Sequence, residues 1–287
     1  NINVRLIVPY GHTIIQTKLP QGLEYAPLYG MRDEEVPMNL NFAPVNGKKI
    51  TLRSKTGSLP NDQIDLGLSS DDVVVLNTIR NPNYLRLLED SLKSNENTRL
   101  FLSATDSMIQ SIGDKKVWEL IGRSDVYVSN REELEKMVGT QINDSQTLAE
   151  MMYKVQLALK TRDGSLGRVY VTFGEYGSAA LGQEKLIYYQ AVASGNIDPF
   201  KKLNVVNTNG CGDAYLSVVV IKEILSHSLL EILNDANTSG HICATMPTAS
   251  GTWMATERKI RDFRDNYGKP DFHRYDQRTK EFIRIRM

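Results

Sequence analysis

The chain has 287 residues, long enough for one large domain and a smaller appendage around a sizeable core. Its 34 basic and 34 acidic side chains cancel, so no global field gathers nucleic acid, and no apolar run reaches the roughly 18 residues of a membrane span. Cys211 and Cys243 are the only cysteines and lack CxxC or Cys/His spacing, which excludes a disulfide framework and a zinc site and fits a reducing, cytoplasmic setting.

Val4-Arg5-Leu6-Ile7-Val8, ended by Pro9, reads as a first strand, and Thr13 to Thr17 follows as a second after Gly11. Asn39 to Ala43 and Ile50 to Arg53 flank Asn46-Gly47, two residues that tolerate positive φ, so this segment reads as a hairpin. Asp72 to Leu76 is unbroken apolar sequence, the mark of a strand buried on both faces. From there strands and helices alternate. Pro82 opens a helix through Leu92, Arg99 to Leu102 is a strand, Lys115 to Ile121 a helix, and Asp125 to Val128 a strand followed by the cap candidates Ser129 and Asn130. Such alternation predicts a parallel sheet covered on both faces, with ligands at the carboxyl ends of its strands. Asn130-Arg131-Glu132-Glu133 stands at one such end and, taken locally, reads as a capping box. Asp144-Ser145 caps a helix whose Leu148, Met151, Met152, Val155 and Leu159 form one packing stripe. Arg168 to Leu181 reads as strand, glycine turn, strand.

At Val205 to Tyr215 an apolar strand is expected to run into the turn Asn209-Gly210-Cys211-Gly212 and then into a helix. Two glycines around one small residue let successive N–H groups point one way, and a helix start adds unpaired N–H groups and a positive dipole end. The result is an anion cradle, with the Asp213 carboxylate beside it able to take a proton from an attacking hydroxyl. Leu216 to Leu225 is apolar on nearly every face, so the helix is expected to be buried and its start rigid. The plainer alternative is a helix whose Asp213 only complements the dipole. Leu229 to Met246 follows as another helix and Pro247 to Gly251 as a loop. The last segment, Thr256 to Met287, sets ten Lys or Arg against six Asp or Glu and interleaves Phe263, Tyr267, Phe272, Tyr275 and Phe282. It reads as a tail packed across its own domain or a dimer mate, in preference to a nucleic-acid arm.

Asn207-Thr208-Asn209-Gly210-Cys211-Gly212-Asp213-Ala214-Tyr215 resembles the C-terminal signature of the ribokinase-like sugar kinases, the phosphofructokinase-B (pfkB) family, read there as D-T-x-G-A-G-D-x-F. Asn207 replaces the first Asp and Cys211 the Ala. The resemblance implies a three-layer α/β/α fold with a mainly parallel central sheet and a small β-sheet lid. It places the kinase domain at residues 1–255, with lid strands within 10–60, and a C-terminal extension at 256–287. It also implies ATP-dependent phosphorylation of a hydroxymethyl group on a sugar, nucleoside or related small alcohol. Asp213 would be the base, and Gly210, Cys211 and Gly212 would form the anion hole. Asn130 and Glu133 match the family's N-x-x-E, which organises Mg2+. Thr172, Gly174 and Gly177 match V-T-x-G-x-x-G at the nucleotide phosphates, and Asn237 matches the adenine-side Ala-Asn. Gly11-His12-Thr13 matches the opening motif, which assigns His12 and Gln16 to the acceptor, Gln16 standing in an Asp-like place. The resemblance further implies a monovalent cation near Asn207, and a lid, here the 39–53 hairpin, whose strands pair between subunits of a homodimer.

No Walker-type G-x-x-x-x-G-K-[ST] and no nucleophile elbow is present. A second reading is a kinase-like protein that keeps the scaffold and works as a subunit or regulator. It draws on the absence of any Gly-Gly pair, on Gln16 and Asn207, and on the extended tail.

Overall fold

The computed structural model describes residues 4–8, 23–27, 39–42, 50–53, 73–77, 82–95, 98–159, 161, 164–191, 205–246, 256–267 and 271–285. Contacts divide the chain into two units, residues 1–72 with 79–98, and residues 73–78 with 99–287.

In the first unit, β1 (Val4–Val8) pairs in parallel with β2 (Leu23–Pro27), and β3 (Asn39–Phe42) pairs antiparallel with β4 (Ile50–Arg53), Phe42 opposite Ile50. The last pair is the hairpin that Asn46-Gly47 predicts. Helix α1 (Pro82–Ser94) begins on its proline, where a missing N–H costs nothing. The strand expected at Thr13 to Thr17 lies outside the described residues, as do His12 and Gln16.

The second unit is built on one mixed sheet. Strands β5 (Val73–Leu76), β6 (Arg99–Ser103), β7 (Val126–Asn130) and β8 (Arg168–Thr172) are mutually parallel. Antiparallel β9 (Gly177–Leu181), β10 (Ile187–Ala191), β11 (Asp271–Asp276) and β12 (Glu281–Ile285) continue it. The inner parallel strands are apolar because both faces are covered: Leu100, Phe101, Leu102, Val126, Tyr127, Val128, Val169, Tyr170 and Val171 are all buried. Strand β5 departs from the expectation of burial on both faces. Its Val75 is 43% exposed, since β5 ends the described sheet with β6 as its neighbour there.

Side chains alternate across each strand, and the two faces meet different helices. On one face lie α2 (Asp106–Ile112), α3 (Asp114–Ile121), α4 (Arg131–Val138) and α5 (Ser145–Ala158), with α5 against β8, β9 and β12. The α5 stripe is buried as its spacing requires. On the other face, Val128, Tyr170 and Ala180 pack with Tyr215 and Val219 of α6 (Cys211–Ile224) and Ile232, Leu233 and Ala236 of α7 (Leu229–Ala244). Helix α8 (Glu257–Tyr267) lies against α7, and the segment after it supplies β11 and β12 to the same sheet. Val205 and Val206 do not form the expected strand. They are exposed, and the N–H groups of Val206 and Asn207 donate to the Ala244 carbonyl at 2.9 and 3.1 Å, so the end of α7 takes the place of a sheet partner. Among the described residues no helix is long and apolar enough to cross a membrane.

Buried polar contacts fix α6 in place. Glu223, 6% exposed, accepts from Arg168 Nη1 at 3.0 Å and from the Tyr170 hydroxyl, while Lys222 Nζ meets Asp235 Oδ2 of α7 at 2.6 Å. Near the other end the Tyr215 hydroxyl and Ser178 Oγ are 3.1 Å apart. Burial pushes both phenols well above their ordinary range, so they stay neutral. Removing one member of such a buried pair strands the other. Glu223→Ala is expected to cost about 3–5 kcal/mol, seen as a melting temperature lower by roughly 10 °C; a melt within a degree of wild type would contradict this clamp.

His241, in the last turn of α7, lies beside the Phe263 ring, and burial pushes its imidazole down to about 4. In the unfolded chain a histidine takes its proton near pH 6.5, so the folded state binds fewer protons between the two values. Its contribution is complete above pH 6.5 and is lost as pH falls toward 4. Urea unfolding of wild type and His241→Gln across that window should show the variant with the flatter decline, by on the order of 2 kcal/mol. Parallel curves would remove His241 from the account.

Candidate active site

The start of α6 differs from those of α2, α4, α5 and α7 and shares with α3, which opens on Gly113 at φ 82°, a glycine that offers no side-chain cap. Thr105, Asn130, Asp144 and Ser228 each cap α2, α4, α5 and α7 through a side-chain oxygen. Helix α6 has Gly210 at that position, at φ 83°, with no side-chain cap. This left-handed turn favours glycine. Before it, Asn207 Oδ1 accepts from the Asn209 N–H at 2.9 Å in a side-chain-closed turn, and Cys243 Sγ approaches the Asn209 carbonyl at 3.6 Å. The first helical bond runs from the Ala214 N–H to the Gly210 carbonyl at 2.8 Å. The N–H groups of Gly212 and Asp213 therefore come too early in the helix for an intrahelical acceptor.

Gly212 is exposed, and a Cβ built on it would meet nothing within 4 Å. Its φ is not in the left-handed range, so neither packing nor backbone geometry demands glycine here. A group approaching from outside would demand it. Cys211 is half-buried, and burial, with the Cys243 thiol beside it, pushes its own thiol up to about 12. It sits in the cradle as a small neutral residue and does not oppose an anion.

Asp213 is exposed in the first turn of α6, and its Oδ1 accepts from Asn77 Nδ2 at 2.8 Å. Asn77 directly follows β5, at the carboxyl end of a parallel strand, where such sheets place ligands. Sequence reasoning did not single it out. A polar residue directly after an apolar strand was the available signal, but its partner is 136 positions away.

Thr172 and Asn130 face each other in register at the carboxyl ends of β8 and β7, with Ser178 opposite Thr172 on β9. Gly174 and Gly177 shape the β8–β9 turn at φ 60° and 109°, both in the range that favours glycine, and the turn closes through the Phe173 N–H to Gly177 carbonyl bond at 2.8 Å. Asn130, Thr172 and Gly174 border a cleft of about 830 Å³, which Gly210, Gly212 and Asp213 do not line.

Several of the expected site residues make contacts within the fold. Asn130 and Glu133 form a complete capping box: Asn130 Oδ1 accepts from the Glu133 N–H at 2.8 Å, and Glu133 Oε2 accepts from the Asn130 N–H at 2.9 Å. A backbone bond from Asp106 also reaches the Glu133 carboxylate, and burial raises its pKa. This is the capping box read from the local sequence, and among the described residues no group of three or more His, Cys, Asp or Glu side chains gathers. Asn237 is 6% exposed, and its Nδ2 donates to Gln190 Oε1 at 2.8 Å, with Gln190 Nε2 reaching Asn234 Oδ1 at 3.0 Å. Its amide ties α7 to β10. The Asn207 oxygen is likewise engaged by its own turn.

The family model of the pfkB family carbohydrate kinases matches residues 65–255. Among solved structures, ribokinase of Arabidopsis thaliana, complexed with ribose and ATP, is similar at 15% identity and TM-score 0.65, over 91% of this chain and 81% of that one. A nucleoside kinase of Methanocaldococcus jannaschii, an archaeal member of the ribokinase family, is similar at 14% identity and TM-score 0.62, over 92% and 81%. A double mutant of Vibrio cholerae fructokinase, in a form with fructose, ADP and potassium ion bound, is similar at 14% identity and TM-score 0.59, over 85% and 76%. No curated protein matches the chain.

The open space at Gly212 separates stability from binding. Gly212→Ala should keep or raise thermal stability, by about 0.5 kcal/mol from helix propensity, while weakening tripolyphosphate binding in calorimetry at least about fivefold, since its Cβ occupies the approach to the amides. Unchanged binding in the stabilised variant would mean that no anion comes to this helix start.

Proposed function

This chain belongs to the pfkB family of carbohydrate kinases, and from that premise we propose that it transfers the terminal phosphoryl group of ATP to a hydroxymethyl group of a sugar or nucleoside. The observation that carries the reading is the pairing of an uncapped helix start with a carboxylate held beside it: α6 opens on Gly210, and Asn77 fixes Asp213 through Oδ1. Asp213 Oδ2 takes the proton from the acceptor hydroxyl as its oxygen attacks phosphorus. The N–H groups of Gly212 and Asp213, with the positive end of the α6 dipole, meet the negative charge on the transferred group. The electron pair of the broken bond leaves with the nucleoside diphosphate.

Asn77 acts through Asp213. By donating to one oxygen it orients the carboxylate and leaves the other as the basic atom. Thr172 and Asn130, neighbours in register at the carboxyl ends of β8 and β7, offer a hydroxyl and an amide on the nucleotide side, and Gly174 leaves its backbone open to close approach. Ribose and ATP in the plant enzyme, and fructose and ADP in the bacterial one, support a sugar acceptor and an adenine nucleotide donor. The archaeal nucleoside kinase keeps nucleosides in the acceptor class. The clamp at Glu223 keeps the helix start fixed, so the amides need no rearrangement as charge develops.

The test is ADP release with ATP and a panel of ribose, fructose and nucleosides, for wild type and Asp213→Asn. Wild type should turn over at least one acceptor, and the variant should lose about 10³-fold or more in kcat with ATP affinity within about twofold, the range for loss of a general base. Equal turnover in the variant would rule out Asp213 as the base. No turnover of any acceptor by wild type would favour the noncatalytic reading.

A further inference from the structure

The cleft that Asn130 and Thr172 border has walls that the phosphoryl-transfer site does not use. Strand alternation puts Tyr189 of β10, His273 of β11 and Phe282 of β12 on the α5 face of the sheet, opposite the face that packs α6 and α7. All three line the cleft together with Phe173 and Tyr176 of the β8–β9 turn. His273 and Phe282 lie beyond residue 255, where the family match ends, so the C-terminal hairpin builds a wall that the matched region lacks.

The rings are fixed in splayed positions. Tyr189 meets Phe173 edge-on at 6.0 Å and 68°, Phe282 at 5.5 Å and 45°, and His273 at 6.1 Å and 47°. The Tyr189 hydroxyl donates to the Tyr176 carbonyl at 2.5 Å, so that ring is held by its polar end. Among the described residues His273 Nδ1 is buried without a hydrogen-bond partner, which leaves Nε2 as the ring nitrogen that can meet a ligand in the cleft. Two of the charged lining residues are engaged, Arg131 with Glu135 and the Ile142 carbonyl, and Asp144 with the Thr147 N–H, while Glu132 stands exposed. The polar side chains of Asn143, Ser145 and Thr172 also line the cleft, and the wall built by β10 to β12 offers mainly ring surface and one ring nitrogen. A polyhydroxylated sugar requires several polar partners, whereas a planar heterocycle requires a stacking surface and an edge contact. A volume of about 830 Å³ takes a nucleoside with room to spare.

We propose that this cleft binds the base of a purine or pyrimidine nucleoside, held against the aromatic wall of Phe173, Tyr189 and Phe282 and hydrogen-bonded at its edge by His273. The site lies on the sheet face opposite α6 and does not depend on phosphoryl transfer at Asp213.

The test is calorimetric titration of adenosine, guanosine, cytidine and uridine, without ATP, into wild type, His273→Ala, Phe282→Leu and Asp213→Asn, with ribose as the control and circular dichroism melts to confirm folding. At least one nucleoside should bind wild type with submillimolar Kd and ribose should not. His273→Ala and Phe282→Leu should each weaken it about tenfold, the second while keeping apolar volume, and Asp213→Asn should bind within about twofold of wild type. No nucleoside binding by wild type, or unchanged Kd in both cleft variants, would overturn the proposal. Nucleoside binding that His273→Ala removes, in a protein that phosphorylates no acceptor, would leave this site standing and remove only the kinase reading.

Discussion

A helix that begins with its amides unanswered must be held in place by contacts elsewhere along its length. In α6 that constraint is met by the Glu223 cluster with Arg168 and Tyr170, the Lys222–Asp235 pair, and the apolar packing of Tyr215, Val218 and Val219 on the sheet and α7. The other capped helices of this unit satisfy their first turns from within the chain, and α6 does not. Its N–H groups, without a partner among the described residues, and an exposed Gly212 with open space before it make one small surface where the helix dipole and backbone geometry favour an anion, and the Asp213 carboxylate stands beside it.

The sheet determines what stands near that surface. The four parallel strands end at or directly before Asn77, Ser103, Asn130 and Thr172, because each chain segment must leave the sheet there to enter a helix or a turn. Polar residues collect at this edge while the strand centres remain apolar. The antiparallel half of the sheet has a different role. It carries the chain away from the parallel strands and, with β11 and β12, raises an aromatic wall on the face opposite α6. One sheet thus presents two chemically distinct surfaces, one suited to phosphate and one to flat rings.

Much of this was legible in the sequence, because apolar runs and helix starts are local properties. The strands at 73–76, 99–103 and 126–130, the α5 stripe and the glycine turn before α6 follow from periodicity and from residues that tolerate positive φ. What the sequence left hidden was a matter of distance or of shared chemistry. Asn77 meets Asp213 only after the chain has folded. Val205-Val206 carries a strand's composition but is captured by the end of α7. Asn130-x-x-Glu133 is one string with two meanings, and only the side-chain positions show that it is a cap. Asn237 matched a motif yet is engaged by Gln190, a partner no local pattern reveals. The C-terminal segment showed its aromatic and basic character plainly, but not that Tyr189 would be the neighbour of His273.

The central claim is that a triphosphate ends at the amino tip of α6 with Asp213 beside it. The most direct measurement is a crystal structure of the protein with a nonhydrolysable ATP analogue. The account predicts the terminal phosphate within hydrogen-bond distance of the Gly212 and Asp213 N–H groups, with the Asn77–Asp213 contact intact. A triphosphate bound away from α6, with those amides facing only solvent, would contradict it.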